Sequence, residues 1–185
     1  MCGSRLSSKW IVSGQGTAGL MEPYKKRRWK RTADSQRMAF FTCARPGRSK
    51  AKDQPVEDKI VHQWVNNLPG PNTSIVSLLG RKPDGTSEFS FYSFYGGCDD
   101  PTEAHGRLSF RAWLDRWHGD RAIEVIEHPT KDYIKIPPET LATVAADIER
   151  LLSAGRTVVL VDSGGEIRSR QVCKHMGFTE DPRNP

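Results

Sequence analysis

The turn Asp162-Ser163-Gly164-Gly165-Glu166-Ile167-Arg168-Ser169 holds the densest set of groups suited to chemistry in this 185-residue chain. It follows the apolar run Val158-Val159-Leu160-Val161 and leads into a helical pattern from Ile167. In an open parallel sheet, chemistry gathers beyond the carboxyl ends of the strands, where this turn would lie. Two glycines let successive backbone N–H groups converge on one point, and a helix start adds its positive end. Arg168 contributes a planar fork matched to phosphate oxygens. Ser163, Gly164, Gly165, Glu166, Ile167 and Arg168 are therefore expected to form an oxyanion cradle. A plain strand-to-helix turn with a surface arginine would also account for a Gly-Gly pair.

Val161 to Ser169 resembles the loop His-Cys-x-x-Gly-x-x-Arg-Ser/Thr that the protein-tyrosine and dual-specificity phosphatases carry between a buried strand and a helix. Gly165, Arg168 and Ser169 match it, whereas Val161 and Asp162 stand where the family has His and Cys. The resemblance implies a general-acid Asp on an earlier loop, followed by proline and a helix. The segment 128–138, His-Pro-Thr-Lys-Asp-Tyr-Ile-Lys-Ile-Pro-Pro, is similar to that loop, with Asp132 in the acid's place. The implied catalytic set is Asp132, Asp162, Arg168 and Ser169, acting on a phosphorylated protein or a small phosphomonoester. By residue type alone, Asp132 in a Pro-bounded turn is equally a turn or capping residue. Glu166 could hold Arg168 or orient water, and an acid near a helix start also suits the dipole.

The absent cysteine decides the expected activity. In the family a thiolate attacks, its pKa lowered by a helix N-terminus and nearby donors. The residues six places after Cys2, Cys43, Cys98 and Cys173 are Ser8, Ser49, Ala104 and Thr179, so no Cys-x5-Arg run occurs. Cys43 to Ser49 comes closest but is one residue short and has no evident strand before it. Asp162 brings negative charge to the cradle. Two unit charges about 4 Å apart repel by about 4 kcal/mol at an effective dielectric near 20, which weakens phosphate binding. The carboxylate is expected to occupy part of the anion site itself. The resulting expectation is a weakly active or inactive phosphatase-like protein, a pseudophosphatase. The alternative is an active phosphomonoesterase with Asp162 as phosphoryl acceptor and Asp132 as general acid. A haloacid-dehalogenase-like reading fails because Gly164 replaces that family's second Asp, and no Walker phosphate loop occurs. The five histidines show no paired metal spacing, so neither metal nor cofactor is expected.

Hydrophobic spacing places these residues. Ile60, Val61, Trp64, Val65 and Leu68 predict a short helix closed by Pro69-Gly70-Pro71; 74–80 predicts a buried strand. A turn is expected at 82–85, an aromatic strand over 88–95 and a loop over 96–106. Ser109 can cap a helix carrying Phe110, Trp113, Leu114 and Trp117, followed by a strand over 122–126. Pro137-Pro138-Glu139 opens a helix with the stripe Leu141, Val144, Ala145, Ile148, Leu151 and Leu152. A strand over 157–161 and a helix over 167–176 complete the pattern. Alternating helices and strands predict an α/β fold with a mostly parallel central sheet and helices on both faces. The resemblance makes it phosphatase-like, of dual-specificity type, with the family's C-terminal helices curtailed.

Charge divides the chain. Residues 1–55 contain 13 Lys+Arg and 3 Asp+Glu, whereas 56–185 contain 15 and 19. The expected organisation is a basic disordered tail over 1–55, a phosphatase-like domain over 56–178 and a frayed end over 179–185. The basic run 24–31, with Tyr24 and Trp29, suits contact with nucleic acid or an acidic surface, or a nuclear address; the tail also resembles an organelle transit peptide. A solvated arm without a role fits equally well. Four cysteines without an apolar leader point to a reducing, cytoplasmic setting, and no run approaches the length of a membrane span. A curtailed helix layer would favour either self-association or low stability.

Overall fold

A computed structural model describes residues 27–30, 39–46, 58–80, 90–92, 107–131 and 133–180. At its centre lies strand β7 (Thr157–Asp162), whose continuous apolar run suits a strand covered on both faces. On one side β7 pairs in parallel with β3 (Thr73–Ser77), which pairs in parallel with β6 (Glu124–Glu127). On the other it pairs in parallel with β2 (Phe40–Ala44). Beyond β2, β1 (Arg27–Lys30) runs antiparallel, and β8 (Thr179–Glu180) runs antiparallel to β1. The strand order is β6-β3-β7-β2-β1-β8.

Period-two alternation assigns the side chains of β7 to two cores. Val159 and Val161 pack with α1 (Asp58–Asn66) and α2 (Phe110–His118) through Val61, Trp64, Phe110 and Trp113. Val158 and Leu160 pack with α3 (Pro138–Ser153) and α4 (Ile167–His175) through Val144, Ile148, Leu151 and Val172. Helices thus cover both faces of the sheet. β4 (Ser90–Tyr92) and β5 (Arg107–Ser109) form a separate antiparallel ribbon, so the described part of the expected aromatic strand, 90–92, lies outside the central sheet. The turn at 82–85 and the loop at 96–106 fall outside the described residues. No helix among the described residues is long and apolar enough to cross a membrane.

The sheet is mixed: β6, β3, β7 and β2 run parallel to one another, and β1 and β8 add an antiparallel edge. This edge also corrects the expected domain limits. Two strands come from 1–55, and β8 pairs with β1 instead of fraying at residue 179. Trp29 is buried between exposed Arg28 and Lys30, and its Nε1 donates to Thr42 Oγ1 at 3.0 Å. A strand with one apolar side chain facing inward has too little apolar period to stand out against its charges. The rest of the expected tail, apart from 27–30 and 39–46, lies outside the described residues, as does 181–185.

Candidate functional site

The four parallel strands all end at one edge of the sheet, and Asp162 is the last residue of β7 at that edge, opposite Ala44 of β2. The turn then lies close against β2. Gly165 has φ 71°, and a Cβ there would stand 2.6 Å from both Cys43 C and Ala44 N. Only glycine meets both the left-handed backbone and the close approach. α4 begins immediately after the turn and ends in a Schellman arrangement. Gly177, at φ 72°, donates to Lys174 O at 3.2 Å, while Phe178 N donates to Cys173 O at 2.9 Å. Phe178 thereby returns to the core against Phe40, with ring centroids 4.7 Å apart.

Asp162 is 2% exposed, and its carboxyl group lies on the N–H groups of its own turn. Oδ1 accepts from Gly164 N at 2.9 Å, from Glu166 N at 3.2 Å and, more closely, from Gly165 N. Oδ2 accepts from Ser169 N at 2.9 Å and Ser169 Oγ at 3.0 Å. Glu166 is the N-cap position of α4 but makes no side-chain capping bond there. The cap comes instead from Asp162, four residues earlier, whose carboxylate satisfies amides that open the helix. An incoming phosphate would require the same donors.

Arg168 is as deeply buried as the carboxylate, at 1% exposure. Nη1 donates to Leu78 O at 2.7 Å and Thr130 O at 2.9 Å, and Nη2 donates to Ser163 Oγ at 2.5 Å. Thr130 Oγ1 donates to Leu78 O at 2.6 Å, so the guanidinium and the threonine together hold the chain just beyond β3. The fork expected to face phosphate is thus engaged as an internal tie among α4, the β3 end and the segment after β6. Glu166 pairs with Arg27 of β1 at 2.8 Å rather than holding Arg168. The side chain of Ile167 is 54% exposed at the first turn of α4. Asp132 lies outside the described residues.

Thr130, Leu78 and Arg27 were not legible as participants in the sequence. Leu78 contributes a main-chain carbonyl, which leaves no side-chain signal, and Arg27 lies within a run of cations that offers no way to select one. Cys43, set aside for lack of a strand, lies within β2 and beside the turn, but its Sγ donates to Ala44 O at 3.1 Å and its side chain is buried. Burial also pushes the Cys173 thiol up, away from the thiolate needed for nucleophilic attack. No group of three or more His, Cys, Asp or Glu side chains among the described residues is arranged to hold a metal. Comparisons with protein-family models, curated proteins and solved structures give no match to this chain.

Proposed function

We propose that the chain is a phosphatase-like module without significant turnover, in which a carboxylate fills the oxyanion cradle from within. The observation that carries this reading is Asp162 Oδ1 on the amides of Gly164, Gly165 and Glu166. Two consequences follow from electrostatics and geometry. A phosphate dianion would meet a buried carboxylate competing for the same N–H groups, with repulsion of about 4 kcal/mol per unit charge at about 4 Å and an effective dielectric near 20. The oxygens of Asp162 are also directed into hydrogen bonds, leaving them poorly disposed for in-line attack on phosphorus. The arrangement of Ser169 supports the resemblance: its N–H and hydroxyl hold the group that stands where the family has its thiolate.

Hydrolysis of an aryl phosphate and binding of tungstate, measured on the natural protein and on Asp162→Cys, test the proposal. Negligible turnover and no tungstate binding are expected of the natural protein. Asp162→Cys should bind tungstate and gain measurable but partial turnover, because Val161 still replaces the family's His. Robust turnover by the natural protein, lost in Asp162→Asn and accompanied by a hydroxylamine-sensitive phosphoryl adduct, would replace the proposal with an aspartyl-phosphate mechanism. Failure of a folded Asp162→Cys protein to bind tungstate would remove the cradle assignment.

A further inference from the structure

Among the described residues, the large hydrophobic side chains left in solvent are Tyr133 at 86% exposure, Ile134 at 55% and Ile167 at 54%. Hydrogen bonds tie together the segments that carry them. Arg168 Nη1 donates to Thr130 O at 2.9 Å, and Ile136 N donates to Gln171 Oε1 at 2.9 Å. The segment carrying Tyr133 and Ile134 is therefore fastened at both ends to one turn of α4. Ile167, Gln171 and Lys174 share the corresponding helical stripe at i, i+4 and i+7.

The backbone adds an independent sign that this surface has a use. Tyr133 is the non-glycine residue with positive φ, at 59°, among the described residues. A left-handed backbone is unfavourable for a residue with a Cβ, and a strained conformation that buries nothing gains no compensation from packing. Tyr133 holds its ring outward in this conformation, as a contact residue would.

Charge selects the occupant. Lys131 and Lys135 flank Tyr133 and Ile134 in the chain, Lys174 lies on the stripe of α4 that carries Ile167, and all three lysines are exposed. With Asp132 counted from the sequence, 131–135 still carries a net charge of +1, and Lys174 adds to it. A second copy meeting this face through a two-fold axis would set lysines against lysines. Single-stranded nucleic acid would stack on Tyr133 but would gain little from two isoleucines. We infer that Tyr133, Ile134 and Ile167, bordered by Lys131, Lys135 and Lys174, dock an acidic polypeptide segment carrying an aromatic or aliphatic side chain. The inference goes beyond the proposed function and is independent of the occupancy of the cradle.

The test is titration of the full chain with a random glutamate–tyrosine copolymer, alongside polyglutamate and an oligothymidylate. The copolymer should bind at least tenfold more tightly than polyglutamate, and added salt should weaken it. Tyr133→Gly and Ile134→Ser should each weaken binding at least tenfold, while the melting temperature of Tyr133→Gly stays equal to the natural protein's or rises. Absence of copolymer binding overturns the inference. So does equal binding by both variants, which would assign the effect to the basic N-terminal run, or equal binding of polyglutamate, which would leave the apolar groups no part. Tighter oligothymidylate binding that depends on Tyr133 would make the surface a nucleic-acid site. A change in sedimentation coefficient in the variants, without a change in copolymer binding, would make it an interface between copies. Tungstate binding and turnover of Asp162 variants report on the cradle, so failure here is distinct from failure there.

Discussion

Asp162 joins the end of a strand to the start of a helix through five hydrogen bonds, and three loop amides share one of its oxygens. Removing the carboxyl group leaves buried donors without an acceptor, each worth about 1–3 kcal/mol when wholly unsatisfied. Because the loop can relax and admit water, Asp162→Ala should lose about 2–4 kcal/mol in a urea titration. Phosphate or sulfate should then raise the melting temperature of this variant more than that of the natural protein, since only the variant has free amides for an anion. Equal shifts in both would count against an internally filled cradle. Gly165→Ala combines an unfavourable φ with an approach of 2.6 Å to β2 backbone atoms. It should lose more than about 1 kcal/mol by the same measurement.

β1 is the element whose contribution departs furthest from its appearance in the chain. Its outward cations suggest a dispensable arm, yet Trp29 belongs to the core of α3 and α4 with Phe40, Val158 and Phe178. Truncating a buried aromatic side chain of this size typically costs about 3–5 kcal/mol, and an edge strand can relax toward the lower end. Trp29→Ala should therefore move the urea midpoint markedly downward, by about 3 kcal/mol in stability. A change of only a few tenths would show that β1 adds little to the folded unit. Arg27 links this edge to the turn through Glu166 and lies 3.6 Å from Glu180 of β8, so displacement of β1 would reach the site.

Across the whole molecule, acid should act through the helix layer opposite α4. His62 Nδ1 and His118 Nε2 are 2.9 Å apart between α1 and the end of α2, beside Trp113. Burial, followed by the charges of His62 and Arg121, lowers the His118 pKa from 6.5 to about 4, with Asp120 opposing the shift. Between those values the unfolded chain binds the proton more readily than the folded chain, so stability rises with pH. The contribution is fully present above about pH 6.5 and is lost as pH falls toward about 4. Melting temperatures recorded across this window should fall on acidification, and His118→Gln should flatten the slope. An unchanged slope in a folded His118→Gln protein would assign the acid sensitivity to other groups.

Much of the secondary structure was determined by short-range chemistry already present in the sequence. The stripe of α3 after Pro137-Pro138, the apolar run of β7 and the stop at Gly177 depend on neighbours within a few residues, so their positions were legible. The convergence of loop amides beyond β7 was legible for the same reason. The sheet membership of β1 was not, because one inward tryptophan among cations becomes a strand only against β2 and β8. The task of Arg168 was likewise decided in three dimensions. Its carbonyl partners lie 90 and 38 residues away in the chain, and main-chain acceptors are common to all residue types. Spacing could place a cation beside the turn, but only packing could turn that cation inward and make it a tie between elements.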